Sequence, residues 1–522
     1  MTLDALARGE PSDVAVIGGG INGAAIAREA AGRGLRVVLF EQDDFGFGTT
    51  WRSTKLIHGG LRYLEHGDIR LVYESLRERA WLLKTRPHLV EPLRLLLPVL
   101  PWTRRPRWQL RAGLELYDLL SLYRGVPRHR ALSEAELRAH APALSPEAQG
   151  GFSFFDARVV APERLALELA LEAREMGAEL FNHARVTRIE TVEGAVSAVQ
   201  VEHEGRTATI PAHAVVNAAG PWVDAVNRLT GEARGGLLGV TRGSHIVCEV
   251  EAPLPSEAIF STARSDGRVF FAVPQGPLIR IGTTDERYDG DPGEARPTGD
   301  EVRYLLAEAQ ELLPGLGLGR ADVRYAYTGL RPLRRMEGGP EAAITRRHEV
   351  IRHEKRGGPT GLLSVIGGKL STFRPLAREA VDALEMGRRQ KLPEPAGPAC
   401  PELPEGLELP EASRRHLRVY GAALPAVLAG GTSLLCEHSG AIEGEVRHAV
   451  EEEQASTLSD ILMRRTGIAW SSCRGLCCHR RVAAIAAPSL GWDAGRVGRE
   501  VAAFEADVQK HLPAPDELER GG

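Results

Sequence analysis

Residues 13–41 read DVAVIGGGINGAAIAREAAGRGLRVVLFE, and their order sets the fold class. Val14 to Ile17 are a short unbroken apolar run, the pattern of a parallel strand covered on both faces. Gly18, Gly20 and Gly23 follow at G-x-G-x-x-G spacing. Glycines there permit a tight turn and let backbone N–H groups approach a pyrophosphate, whose charge then faces a helix N-terminus. Ala24, Ala27 and Ala31 keep one side of that helix small, Gly32 and Gly34 stop it, and Val37–Phe40 make a second strand. Glu41 ends that strand, where a carboxylate accepts both hydroxyls of an adenosine ribose and repels a 2′-phosphate. The glycine spacing alone is weak evidence. Strand, turn, helix, second strand and terminal acid in this order make a dinucleotide-binding unit. They do not separate a flavin from a nicotinamide dinucleotide.

The nucleotide fold does not finish locally. Residues 179–222 hold short β-rich runs and then an apolar strand ending in Ala218-Ala219-Gly220, which suits a later segment rejoining the first sheet. Residues 240–285 alternate strand-like runs with turns. A helix follows with a capping box at Thr298 and Glu301, and DVRYAYTGLRPL (322–333) alternates like a strand. The fold class expected is α/β: a discontinuous Rossmann-like dinucleotide-binding domain, an inserted β-rich (α+β) substrate domain and an all-helical C-terminal domain. The boundaries read as 11–90, 150–235 and 340–388 for the first, 91–149 and 236–339 for the second, a Pro-rich linker at 389–410, and 411–522 for the third. A helix after residue 68 is expected, with Asp68 as its cap. Its core face is Ile69, Val72, Tyr73, Leu76, Ala80 and Leu83, and its charges form a solvated face.

Bulk properties exclude several classes. The chain has 522 residues and a formal charge of −4, which gives no nucleic-acid signal. The first thirteen residues lack the apolar core of a signal peptide, and no run approaches the ~18 apolar residues of a membrane span. Six sparse cysteines suit a reducing, cytoplasmic location. The tail's CRGLCCHRR (473–481) crowds Cys473, Cys477 and Cys478 together without paired C-x-x-C spacing, so packing is expected there and no metal.

One stretch is unusually polar: STKLIHGGLRYLEHG (53–67) places a lysine, two histidines, an arginine and a tyrosine around adjacent glycines. With VIGGGINGAAIAREAAGRGL it resembles the FAD-dependent glycerol-3-phosphate dehydrogenases. VVNAAGPW (215–222), RGSHIV (242–247), IGTTD (281–285), TGLRPL (328–333), AAITR (342–346), SVIGGKLSTFRPLA (364–377) and the tail at 445–467 extend the resemblance, in order, over nearly the whole chain. It departs at Thr49-Thr50-Trp51-Arg52-Ser53-Thr54-Lys55, where Trp51 replaces a small hydroxyl residue.

The resemblance implies FAD as cofactor and oxidation of sn-glycerol 3-phosphate at carbon 2, with a hydride passing to the flavin N5. Glycerol-3-phosphate oxidase, using oxygen and releasing peroxide, is the alternative. Cofactor contacts are implied at Gly18, Gly20, Gly23, Glu41, Thr49, Ser53, Lys55, His58, Gly59, Val186, Gly220, Gly368 and Leu370. Gly59 and Gly60 would let the backbone pass under a flat ring. Substrate contacts are implied at Arg62, Tyr63, Arg331, Arg346 and Lys369, since cations from distant segments tolerate one another over a shared phosphate. His58 is the natural proton acceptor; Arg331 could instead polarise the hydroxyl, or Lys369 could act if burial lowers its pKa. The family also implies a respiratory quinone as electron acceptor and peripheral attachment to the inner face of the cell membrane. It leaves room for a homodimer. Residues 101–125, PWTRRPRWQLRAGLELYDLLSLYRG, combine aromatic and leucine residues with arginines. They suit an interfacial helix or one packed on the core.

Overall fold

The computed structural model describes residues 2–122, 124–231, 235–335, 347–387, 392, 403–404 and 406–512. The linker segment and Arg346 fall largely or wholly outside these.

Strand Ser12–Ile17 lies at the centre of the first sheet. It runs parallel to Val37–Phe40 on one side and to Arg206–Asn217 on the other, with Val16 level with Leu39 and Val216. Leu362–Ile366 adds a further parallel strand, and Glu349–Arg352 closes that edge antiparallel. Val14, Val16, Leu39 and Val216 are fully buried, as their unbroken apolar runs require. Helix Ile21–Gly32 packs against helices Pro162–Glu175 and Phe373–Ala383 on one face. Its alanines allow the approach: Ala24, Ala27 and Ala30 have no exposed surface.

The second sheet carries the substrate domain. Its strands run in the order Glu286–Arg287, Leu238–Glu249, Leu278–Gly282, Val269–Gln275, Ala258–Thr262, Val90–Pro98, Gly151–Val159 and Leu56–Ile57. Val323–Arg334 pairs antiparallel with Leu238–Glu249, which sets Arg331 opposite Thr241. Helix Gly299–Leu312 covers one face, with the capping box at Thr298 and Glu301 formed. The expected boundaries need correction here. Gly151–Val159 and Leu56–Ile57 fall within the segments expected for the nucleotide domain. Gly151–Val159 instead pairs with Val90–Pro98 along its whole length, and Leu56–Ile57 pairs with it in turn.

The C-terminal domain is helical apart from a two-stranded ladder, Leu434–Cys436 with Ala441–Ile442, which the all-helical expectation lacked. Ile461, Leu462, Val482 and Phe504 form its own core. It docks through buried charges. Arg465 donates to Asp44 at 2.6 and 2.9 Å, and Arg164 to Glu453 at 2.6 Å. Asp44, His183 and Asp460 lie together, but Arg464 and Arg465 already neutralise the two carboxylates.

Helix Ile69–Thr85 begins at Asp68, whose side chain accepts from Leu71 N at 3.4 Å. Its buried face departs from expectation. Val72 and Leu76 are buried, yet Ile69 and Tyr73 are exposed while Ser75, Glu78 and Arg79 are buried. The charges are not solvated because distant partners meet them. Arg79 bonds Asp156 at 2.6 Å, and Glu78 receives Arg374 at 2.7 Å. Among the described residues, no helix is long and apolar enough to cross a membrane.

Candidate active site

A groove of about 1100 Å³ runs along the C-terminal ends of the parallel strands. Gly18, Gly20 and Asn22 line it from the first turn, Glu41 from the second strand, and Thr49 and Ser53 from the next loop. Val186, Gly220, Gly368, Lys369 and Leu370 complete it from later segments. The glycines have separate steric reasons. A Cβ on Gly18, whose φ is +107°, would come within 2.7 Å of Ala218 O. One on Gly23 would sit 1.8 Å from Gly18 O, so the third glycine serves helix–strand packing rather than the groove itself. Glu41 is buried, accepts from Gly19 N at 2.6 Å and from Asp43 N at 3.0 Å, and has its pKa pushed up to about 7 by burial. Thr50 Oγ1 accepts from Ile21 N at 3.0 Å at the helix start. Asn22 Oδ1 is buried with no hydrogen-bond partner in the protein. An orphaned acceptor and a buried carboxylate can take hydrogen bonds from ribose and flavin, and backbone N–H groups at a helix N-terminus can donate to a pyrophosphate, so the residues present fit FAD.

A second cavity, of about 940 Å³, opens beside the groove. The two share Thr49, Ser53, Pro332, Gly367, Gly368, Lys369 and Leu370. His58, Tyr63, Arg331 and Lys369 all line it, brought together from segments over three hundred residues apart. Arg331 sits in extended strand before Pro332. It donates to Asp285 Oδ1 at 2.9 Å and to Thr283 Oγ1 at 3.0 Å. Lys369 Nζ lies 3.9 Å from the centroid of the Tyr63 ring and donates to Ser75 Oγ at 3.2 Å. His58 meets Phe271 edge-on at 6.3 Å.

Glycines make the room. A Cβ on Gly243 would lie 2.1 Å from Arg331 Nη2, one on Gly60 2.2 Å from the Tyr63 ring, and one on Gly282 2.2 Å from the His245 ring. Gly60 thus clears space for Tyr63. Gly59 borders neither opening: its Cβ position faces Leu76 and the Tyr117 hydroxyl, and its N–H donates to Asp156 at 3.3 Å. Asp156 also receives Arg79 and Tyr117, so a buried carboxylate fixes the loop carrying His58.

Lys55 also lines neither opening. Its ammonium lies 3.9 Å from Glu163, and burial lowers its pKa to about 8. The Arg62 side chain and Arg346 lie outside the described residues. Trp51 packs away from the groove, stacked on Trp470 at 4.2 Å with its indole N–H donating to Phe47 O at 2.9 Å.

Sequence reasoning gave no role to His245, which lines the cavity. Its Nε2 shares a hydrogen bond with Thr54 Oγ1 at 2.9 Å, its ring stacks on Tyr327, and its Nδ1 is buried without a partner. Burial, with Arg280 and Arg331 nearby, holds this imidazole neutral, well below the usual histidine range. Its place inside RGSHIV was the available signal.

A dinucleotide groove opening into a side cavity is the arrangement of a dinucleotide-dependent oxidoreductase. The family described as FAD dependent oxidoreductase matches residues 13–372, and the C-terminal domain of alpha-glycerophosphate oxidase matches residues 366–497. The chain is 39% identical over 513 residues to a glycerol-3-phosphate dehydrogenase of Synechocystis, covering 89% of this chain and 91% of that protein. It is 36% identical over 485 residues to a D-erythritol 1-phosphate dehydrogenase of Brucella abortus, covering 88% and 95%. A glycerol-3-phosphate dehydrogenase from Bacillus halodurans, solved complexed with FAD, superposes with a TM-score of 0.77 at 28% identity, covering 98% and 97%. The chain belongs to the family of FAD-dependent glycerol-3-phosphate dehydrogenases, and its cofactor is FAD.

Proposed function

We propose that the chain oxidises sn-glycerol 3-phosphate at carbon 2 to dihydroxyacetone phosphate and delivers the electrons to a membrane quinone. The observation that carries this reading is the meeting of Arg331 and Lys369 in a cavity that shares seven lining residues with the FAD groove. When bound, FAD supplies the hydride acceptor. Arg331 and Lys369 grip the phosphate, the first through a planar fork that matches two oxygens, the second as a point charge. The Asp285 carboxylate orients the Arg331 guanidinium. His58 takes the hydroxyl proton, while neutral His245 holds the substrate oxygen without adding a competing charge. Gly18, Gly20, Asn22, Glu41, Val186, Gly220, Gly368 and Leu370 would hold the cofactor.

Helix Arg107–Leu120 is the proposed membrane contact on the cytoplasmic side. Leu114 and Tyr117 anchor it in the core. Trp108 (68% exposed), Leu119 (55%) and Leu122 (46%) face outward, beside exposed Arg104, Arg105, Arg111 and Arg124. An apolar strip flanked by arginines suits an anionic lipid surface. Flotation with anionic vesicles tests it: wild type floats, and Trp108→Glu with Leu119→Glu stays at the bottom.

The decisive test is anaerobic mixing with glycerol 3-phosphate. Rapid loss of oxidised-flavin absorbance supports the reading, and an unchanged spectrum overturns it. The match of residues 366–497 to an oxidase C-terminal domain favours a second reading, with oxygen as acceptor. Peroxide formed in step with substrate consumed, and no gain from quinone, would select it. D-erythritol 1-phosphate belongs in the same substrate panel, because the Brucella relative is named for it.

A further inference from the structure

Three thiols from two separated segments meet on the C-terminal domain. Cys436 ends the strand Leu434–Cys436, while Cys473 and Cys477 lie in the turns ahead of helix His479–Leu490. Their Sγ atoms are 3.5 Å apart for 436–473, 3.7 Å for 436–477 and 3.2 Å for 473–477. All three are free thiols. Cys436 is buried and Cys477 exposed, so the cluster opens to solvent on one side. The neighbouring Cys478 is buried and its thiol donates instead to Gly475 O at 3.7 Å. The crowding within CRGLCCHRR gave no sign of Cys436, which comes from 37 residues upstream of Cys473.

Tetrahedral zinc binds thiolate sulfur at about 2.3 Å, which places neighbouring sulfurs roughly 3.8 Å apart. The separations of 3.5 and 3.7 Å lie close to that value, and the 3.2 Å pair would open by roughly 0.6 Å. A disulfide would use two of these sulfurs and leave the third unexplained. We propose that Cys436, Cys473 and Cys477 bind a single zinc ion as thiolates, with water from the solvent side as the fourth ligand. Each thiol releases its proton to solvent on binding, and no electron is transferred. The Arg481 guanidinium donates to Leu434 O at 3.0 Å, two residues before Cys436, and pairs with Glu443.

The ion would act as a staple. Trp470 lies three residues before Cys473, on the turn Ile468–Trp470. Its ring stacks on Trp51 of the flavin loop, and its carbonyl accepts from Tyr325 Oη at 3.0 Å. Joining the Cys473 turn to the Cys436 strand holds the turn that docks this domain on the substrate sheet.

The test uses the full flavoenzyme purified under reducing conditions. Elemental analysis is expected to give one zinc per chain, and cobalt exchange to give d–d bands to the red of the flavin spectrum. Both are lost in Cys436→Ser and in Cys477→Ser, and both are kept in Cys248→Ser, which alters a buried thiol of the substrate sheet. Cys477 is exposed, so its variant should fold; bound FAD and far-UV circular dichroism check this. Reduced wild type that holds no zinc after exposure to stoichiometric metal overturns the proposal. Iron with acid-labile sulfide would do the same, as would a disulfide within the cluster found by peptide mapping of protein purified without reductant.

Discussion

The FAD groove starts from one contiguous strand–turn–helix unit, whereas the adjoining cavity depends on polar side chains brought together from segments hundreds of residues apart. At the groove's first turn, Gly18 and Gly20 matter for what they lack, Gly23 lets the helix pack behind them, and one 29-residue unit supplies both that turn and Glu41. In the cavity, His58, His245, Arg331 and Lys369 matter for what they carry, and each is useless without the fold that gathers them. Damage to the groove should therefore abolish cofactor binding outright. Damage to the cavity should leave FAD bound and act on turnover alone.

The sharpest way to break this division is at Gly23. A side chain there would begin 1.8 Å from Gly18 O, a backbone atom that cannot swing aside. Gly23→Val is expected to yield protein without flavin absorbance, with overpacking of at least 1–3 kcal/mol against the native turn. A variant that still binds FAD at wild-type affinity would mean the turn is softer than its glycines imply. Next in size is Arg331→Ala. Loss of an ionic hydrogen bond costs about 1.5–3 kcal/mol, or roughly 10- to 150-fold in kcat/KM, while the flavin spectrum stays unchanged. Normal kinetics would remove Arg331 from the site, and lost flavin would merge the two regions.

The same division explains what could be read before the structure. The nucleotide unit was legible because strand, turn, helix and acid are contiguous and each has a local physical signature. Arg331 and Lys369 carry no such signature; only the family resemblance singled them out. His245 passed unnoticed because a histidine in an apolar strand looks like packing until Thr54 and Arg331 are beside it. Glu78 and Arg79 looked solvated because Arg374 and Asp156 are 296 and 77 residues away. Trp51 is bulky where the family has a small hydroxyl residue, and the partner that accounts for it, Trp470, lies on another domain. Local pattern identifies elements, and long-range pairing decides which polar groups they bury.

Gly243→Ala separates the position of a cation from its presence. The added methyl would meet the Arg331 guanidinium at 2.1 Å, and that end of a long side chain can move. The fold should survive, FAD should stay bound, and kcat/KM should fall about tenfold, less than in Arg331→Ala. An unchanged rate would show that Arg331 works from more than one placement.

The smallest effect concerns Glu41, the carboxylate that lines the groove. Burial raises the pKa of Glu41 to about 7 in the cofactor-free protein, from an ordinary value of 4.5. The folded chain thus binds a proton that the unfolded chain releases. The stabilisation is full below about 4.5 and is lost as pH rises through 7. Ribose hydroxyls reverse the preference, because they donate to the carboxylate and favour its ionised form. FAD binding must then expel the proton below pH 7, and it need not do so above. Affinity for FAD should rise by up to about tenfold between pH 6 and pH 8, and Glu41→Gln should bind FAD more weakly with a flat profile. Titrating apoprotein with FAD across that range measures both. A flat wild-type profile would mean that Glu41 keeps its charge when the groove is empty, so that the backbone N–H groups of Gly19 and Asp43 outweigh its burial.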